Sequence, residues 1–305
     1  MRIFRQTHFD FLAIRRRMYV VSAVIISSGI ISLIFKGVNY GIDFRGGTEL
    51  VLAFDQKPEI GQLRNALDKV GLGNSEIKSL GDEKNVLIRT AIQGEGTVIG
   101  NKIKAAIQEA YPNSKFEVLK GYKISAKIGE ELRRDAIYAV IVSLLAILLY
   151  IAVRFKFVFG LGAVAALFHD TLLTIGIISI ADGLIPGLNL EITQEIVAAF
   201  LTLLGVSNND TIVVFDRIRE NLKLYRSMSL YEVMNKSLNE TLSRTIITSG
   251  TIFVVLLVLL FVGGEVTRGF AFTMTIGILT GTYSSIYIAS AFVLEWSERK
   301  KSESV

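Results

Sequence analysis

Six stretches of the chain are apolar over eighteen or more residues and almost free of charge: 18–35, 136–153, 157–181, 196–215, 245–262 and 269–294. Runs of that length suit helices that cross the ~30 Å hydrocarbon layer of a bilayer. The first follows Arg15, Arg16 and Arg17. It is read as a retained span rather than a cleaved leader, because it is long for such a leader and no A-x-A site follows it. Two of the six are interrupted by polar groups. His169 and Asp170 break the third, and Ser207, Asn208, Asn209 and Asp210 break the fourth. Six spans place both termini on one side of the membrane.

Between the first two spans the pattern changes. Residues 36–134 carry short alternating runs and amphipathic runs in place of a continuous apolar one. Thr48 to Phe54 alternates as a strand. Lys57 to Val70 has helical spacing, with Ile60, Leu63, Leu67 and Val70 on one face. Glu76 to Leu80 and Val86 to Thr90 read as strands joined by Gly81-Asp82-Glu83-Lys84-Asn85, Val98 to Tyr111 as a helix stopped by Pro112, and Lys115 to Leu119 as a last strand. The predicted order β-α-β-β-α-β is the ferredoxin-like pattern. The fold expected is therefore a membrane all-α six-helix bundle with an inserted α+β ferredoxin-like domain. At the entrance to that domain, Gly41, Asp43, Phe44, Arg45, Gly46 and Gly47 form a motif that reads as a turn into a strand, or as a place where glycines let two backbones approach closely.

The remaining segments are a tail over 1–17, loops over 182–195 and 263–268, a connection over 216–243 and a tail over 295–305. In the connection, Asp216 to Leu224 continues the fourth helix, and Ser229 with Glu232 fits a capping box that starts a second short helix. The tails, 154–156 and 216–244 hold sixteen Lys and Arg, and the opposite short loops hold only Arg268. By the positive-inside rule both termini are cytoplasmic and residues 36–134 are extracytoplasmic.

Composition narrows the chemistry. The chain is 51% hydrophobic with a mean hydropathy of +0.48, which fits an integral membrane protein. It has no cysteine and two histidines, so thiolate chemistry and a His-rich metal site are excluded. No G-x-x-x-x-G-K-[ST] run marks an ATP site. The net charge of +5 is mostly the topology signal and gives no support to nucleic-acid binding.

An ionisable group inside a span is a functional-site hypothesis by default. Asp210 lies six residues from Asp216, about 9 Å of helix, and Asp170 lies fourteen from Lys156, about 21 Å. Counted this way the two acids differ in depth by about 12 Å. Ser207 and Thr211 share a helix face with Asp210, and Gly162 and Ala166 share one with Asp170. On the fifth span Arg244, Thr248 and Thr251 form a polar stripe. A buried acid beside Arg244 is either a protonation switch or a static ion pair. Arg244 alone could be an interfacial anchor, and Asn208 and Asn209 interhelical hydrogen-bond glue. The sixth span repeats small residues at Thr273, Gly277, Gly281, Ser285 and Ala289, a ladder for close helix contact with a partner implication. The two acids also invite an intramembrane aspartyl protease, which their depths and the lack of a G-x-G-D motif oppose.

The run from Ser207 to Asn221 closely resembles the hallmark of the SecF family. The run from Gly41 to Thr48, Phe168 to Thr171 and Asn239 to Thr245 resemble further blocks of it, as does the six-span layout. Ser207-Asn208-Asn209 departs mildly from the variants expected there. The resemblance implies half of an RND-type transporter. It implies a non-enzymatic subunit that works with SecD beside the SecYEG translocon, in the bacterial inner membrane. Its work would be to use the proton motive force to pull preproteins outward. Protons would be the coupling ion, with no other cofactor and no metal. It places the proton pathway at Asp210 and Arg244, with Asn209, Thr211, Ser207 and Asp170 around them. An independent exporter of small molecules or lipids, and a passive scaffold, are the other readings of the same pattern.

Overall fold

The computed structural model describes residues 7–80, 82–92, 97–112, 114–155, 157–184, 188 and 190–302. Parts of the predicted tails (1–6 and 303–305), Gly81 of the strand turn, Lys156, and 185–187 and 189 of the following loop lie outside them. The chain divides into two compact units, one formed by Met1–Val38, Ala139–Leu190 and Glu195–Val305, the other by Asn39–Tyr138 with Glu191–Gln194.

The first unit is helical. Its elements are α1 (Arg15–Lys36), the later part of α5 (Ala126–Arg154), α6 (Phe157–Ala181), α7 (Gln194–Leu224), α8 (Leu230–Val262), α9 (Glu265–Ser284) and α10 (Ala291–Ser302). A π turn over Ser285–Ser290 joins the last two into one rod. Six helices are long and apolar enough to cross a membrane. Half or more of the apolar window is buried in α6, α7 and the α9–α10 rod, against less than a fifth in α1, α5 and α8. The first three thus form the centre of the bundle and the others carry its apolar outer face.

Lipid tails are as apolar as leucine, so helices in a membrane associate through close packing and hydrogen bonds more than through water exclusion. The contact of α1 with α6 shows this. Ser22 meets His169, an added Cβ on Gly29 would lie 2.4 Å from the Gly176 Cα, and Ser32 bonds Ser179 at 2.9 Å. The offset between partners is constant, so the two helices run parallel in one register. Lys36 closes the seam by donating to the carbonyls of Ser179 and Asp182. Between α6 and α7 the register is antiparallel. Gly162 lies against the Phe215 ring, and Asp170 meets Ser207 eight residues further along α6 and eight back along α7.

The capping box forms at Ser229 and Glu232, but it opens a single helix that runs to Val262 in place of a short helix followed by a separate span. Nothing between Leu230 and Thr245 breaks a helix: neither proline nor glycine occurs there. Its early part is fastened to the end of α7, where Arg217 pairs with Glu240 at 2.7 Å and the buried Asn221 donates to Ser237 and Glu240.

The second unit contains a four-stranded antiparallel sheet of β1 (Gly47–Phe54), β2 (Glu76–Leu80), β3 (Asp82–Thr90) and β4 (Phe116–Ile124), in the order β2-β3-β1-β4. The short α2 (Ile42–Arg45) precedes β1, and α3 (Ile60–Lys69) and α4 (Val98–Ala110) complete the unit with the start of α5. Leu50, Leu52, Ile77 and Ile88 of the sheet pack with Leu63 and Leu67 of α3 and Ile103 and Ile107 of α4. These are the alternate strand positions and the helix faces that the pattern marks as apolar. Strand β4 extends beyond its predicted end at Leu119 because it pairs with β1 along its whole length, from Gly47↔Ile124 to Phe54↔Phe116.

Gly29→Ala is expected to lower the stability of the purified chain by about 1–3 kcal/mol, because the added methyl has nowhere to go. Gly205→Ala, whose methyl would meet nothing within 4 Å, is the control and should leave the melting temperature equal or higher.

Candidate functional site

The centre of the helical unit holds Asp170, which is 1% exposed. One carboxylate oxygen accepts from Ser207 on α7 at 2.5 Å and from Ser284 on α9 at 2.8 Å. The other lies 3.0 Å from Nδ1 of its neighbour His169. Nε2 of His169 lies 2.8 Å from Ser22 Oγ on α1. Ser22 is 2.9 Å from the Tyr283 hydroxyl, which donates to the Met18 carbonyl at 2.6 Å. Tyr283 also stacks on the His169 ring. One polar network thus ties α1, α6, α7 and α9 together. A buried acid of this kind is tolerable only because its oxygens have donors.

The ladder of small residues makes the approach possible, and it does so inside this chain. An added Cβ on Gly277 would meet the Leu203 side chain at 2.5 Å, and one on Gly281 would meet Ser207 at 2.9 Å. Ser284, not Ser285, takes the next step on that face. The π turn then shifts the phase, so that the Ala289 carbonyl faces Gly162 of α6. The implication of a ladder facing another chain is therefore corrected for Gly277, Gly281 and Ala289: their small size is used against α7 and α6. Ser285 is fully buried and bonds the carbonyl of Thr282.

Asp210 is 8% exposed and accepts a hydrogen bond from Ser249 of α8 at 2.9 Å. The depth gap of about 12 Å between the two acids does not hold. With α6 and α7 in the register above, Asp210 is one helical turn from Ser207, the residue that meets Asp170, or about 4.5 Å along the axis. The count failed because Asp216 is not level with the start of α6: its neighbour Phe215 already packs against Gly162, five residues past Phe157. Among the described residues no hydrogen bond joins the two acids. Each has its own donors, so they do not form a proton-sharing pair of the protease type.

Arg244 acts on Asp210 electrostatically but forms no ion pair with it within 4.0 Å among the described residues. The stripe Arg244, Thr248 and Thr251 is also corrected. Arg244 and Thr251 are exposed, and the buried polar stripe of α8 is Thr241, Thr245 and Ser249. Both stripes have helical spacing, and the residue types alone do not tell which turns inward. Arg244 instead lines an open cavity of about 1150 Å³ with Asn209, Asp216, Arg217, Tyr231 and Asn235. Asn209 is exposed there, next in sequence to Asp210, whereas Thr211 is buried on the other side.

The motif at the entrance of the second unit is both a turn and a close approach. Gly46 has φ 75°, and an added Cβ on Gly47 would lie 2.4 Å from the Thr90 carbonyl oxygen. Phe44 and Ile42 are buried, Arg45 bonds Asn39, and Asp43 accepts from the backbone of Gln194. Nearby, Arg89 is flanked by Glu49, Glu76 and Glu191. Burial opposes its charge, but the Glu49 hydrogen bond and the other carboxylates outweigh it and raise its pKa.

The site residues that the pattern does not mark are His169 in its pairing role, Ser22, Tyr283, Ser284 and Ser249. Single hydroxyls in apolar spans are common, so only the adjacency of His169 to Asp170 carried a signal.

Residues 102–299 match the family described as "Protein export membrane protein SecD/SecF, C-terminal", and residues 31–58 match the "SecD/SecF GG Motif". The chain is 44% identical over 299 residues to the protein translocase subunit SecF of Rhodothermus marinus, covering 98% of this chain and 96% of that protein. It is 41% identical to the SecF subunit of Desulfurispirillum indicum over 96% of this chain and 93% of the other. Among solved structures it resembles SecDF from Thermus, a translocon-associated membrane protein, with a TM-score of 0.81, 36% identity and 96% of this chain covered. It also resembles SecDF in a super-membrane-facing form, with a TM-score of 0.73, 35% identity and all of this chain covered. The chain spans only 39% and 40% of those two SecDF chains.

Asp170→Ala is expected to destabilise the chain by about 3–5 kcal/mol, since it strands several buried partners at once. Asp210→Ala, which strands Ser249, should cost about 1 kcal/mol. Thermal unfolding in detergent compares the two, and equal losses would contradict the assignment of Asp170 as the hub.

Proposed function

The chain belongs to the SecD/SecF family of protein export membrane proteins, and from that premise we propose that it is the SecF half of a SecD–SecF unit driven by the proton motive force. The chain's span of about two fifths of a SecDF chain supports a partner that supplies the rest. That partner is SecD, and the unit works beside SecYEG on preproteins leaving the bacterial inner membrane. The role is mechanical rather than enzymatic. The bias of Lys and Arg supports cytoplasmic termini, and the second unit then stands on the outer side. Its β-α-β-β-α-β order and its strand order support a ferredoxin-like module that relays movement or contacts the preprotein.

The observation that carries the reading is the setting of Asp210. It is a carboxylate within a span, bonded by Ser249 and one residue from a side chain that lines a polar cavity also reaching Arg244. Such a group can gain and lose a proton without dismantling the bundle. Asp170, saturated by three side chains, cannot do so as cheaply. When Asp210 is ionised, Arg244 is drawn toward it. When it is protonated that attraction is lost, and the α7–α8 contact at Ser249 is free to rearrange. The gradient sets the order of the two states, and their difference in shape is passed to SecD and to the outer domain. Asn209, Thr211 and Ser207 shape the α7 side of this site, with Ser207 linking it to Asp170.

Asp210→Asn and Arg244→Ala are each expected to reduce export in inverted vesicles to the level seen without a proton gradient, while SecD still co-purifies. Thr251→Ala, on the exposed stripe, should export normally. Undiminished gradient-dependent export by Asp210→Asn would sink the proposal.

A further inference from the structure

The network beyond Asp170 can be audited hydrogen by hydrogen. It has four links in series: Asp170 to His169, His169 to Ser22, Ser22 to Tyr283, and Tyr283 to the Met18 carbonyl. Each link needs one hydrogen. With Asp170 ionised and His169 neutral there are only three: one on the imidazole, one on Ser22 and one on Tyr283. Ser207 and Ser284 cannot make up the shortfall, because they already donate to the other oxygen of Asp170. Either neutral tautomer therefore leaves two buried acceptors facing each other across one link. One added proton fills all four. It can rest on His169, giving an imidazolium beside a carboxylate, or on Asp170, giving a carboxylic acid that donates to Nδ1 while Nε2–H donates to Ser22. In both forms the hydrogens from His169 onward point toward α1, and only the first link differs: Asp170 donates to Nδ1 in the acid form, and Nδ1 donates to Asp170 in the imidazolium form.

Electrostatics lead to the same count. His169 is 7% exposed and Asp170 1%. Without the added proton the dyad carries a net negative charge in an apolar interior, which is costly. With it the dyad is neutral overall. The titratable groups facing it are Tyr283 from α9, Tyr287 and Tyr19 behind that ring, and Asp210 one turn along α7 from Ser207. Among the described residues no lysine or arginine forms an ion pair with the dyad, and the nearest such cation on α8, Arg244, acts on Asp210.

We propose that His169 and Asp170 form a second proton-binding site in the membrane interior, which holds one proton in this conformation and uses it to clamp α1 onto α6 and α9. The site is distinct from Asp210 and goes beyond the reading above. Three of the four links run to or from α1, and an ionised Asp170 draws the remaining imidazole hydrogen to Nδ1, so loss of the proton breaks the network where α1 is attached. Proton occupancy then sets how firmly the first span is held.

The chain has only His8 and His169, so ring nitrogens labelled with ¹⁵N can be assigned by comparison with His8→Gln. In the full chain in nanodiscs near neutral pH, the expected result is one of two pictures. Either both nitrogens of His169 carry hydrogen, or Nε2 alone does and infrared spectra show a protonated carboxyl that is lost in Asp170→Asn. A neutral His169 with hydrogen on Nδ1 and an ionised Asp170 would overturn the proposal. Tyr283→Phe removes two links, so Ser22 can donate to Nε2 and the added proton is no longer needed. The ratio of proton-loaded to unloaded dyad should then fall about ten-fold, the worth of roughly one hydrogen bond. An unchanged ratio in that variant would also overturn it. Asp210→Asn, run in parallel, should keep His169 loaded. That outcome separates this site from the translocation reading, which can fail without affecting it.

Discussion

A carboxylate with 1% exposure has to be given hydrogen-bond donors, and much of the helical unit can be understood as the supply of those donors to Asp170. Ser207 of α7 and Ser284 of α9 donate to it, and Nδ1 of His169, on α6 itself, lies 3.0 Å from its other oxygen. For α7 and α9 to come that close, bulk has to be absent where they touch, and Gly277 and Gly281 face Leu203 and Ser207. For α1 to reach His169, Gly29 and Gly176 have to meet without side chains. The glycines and the buried acid are thus one design: the first permit the approach and the second makes it specific.

The two acids in the spans differ in how firmly they are held. Asp170 is tied to three helices and gains its stability from that. Asp210 is bonded to one serine on α8 and sits beside a residue that opens onto a polar cavity. A group proposed to take up and release a proton repeatedly needs few ties, and the only side-chain donor to Asp210 among the described residues is Ser249. Ser207 connects the two regions: its hydroxyl serves Asp170, and Asp210 follows one turn later on the same helix. The two acids are therefore linked through a single turn of α7.

Much of this was legible in the amino-acid pattern. Length and apolarity mark all six spans, because a bilayer demands both. The strands and helices of the second unit follow from alternation and from the Leu63–Leu67 face. What the pattern could not supply was phase between helices. Arg244, Thr248 and Thr251 have the same spacing as Thr241, Thr245 and Ser249, and only packing shows which set turns inward. The depth of Asp170 was misjudged for a related reason. Residue counts along two helices give a depth only when a common level is known, and Phe215 of α7 already lies against Gly162, inside α6. The helix break expected before Thr245 rests on polarity, but polarity alone does not stop a helix, and residues 230–245 hold neither glycine nor proline. His169 stood beside Asp170 in plain view, yet its partners Ser22 and Tyr283 lie on spans far away in sequence.

The central claim is that Asp210 is the group that takes up and releases the driving proton. Infrared difference spectroscopy on the SecD–SecF unit in sealed vesicles, with a gradient imposed and then collapsed, tests it most directly. The account predicts a protonated-carboxyl band that rises and falls with the gradient and is missing from Asp210→Asn. The same band, at the same strength, in Asp210→Asn would contradict it.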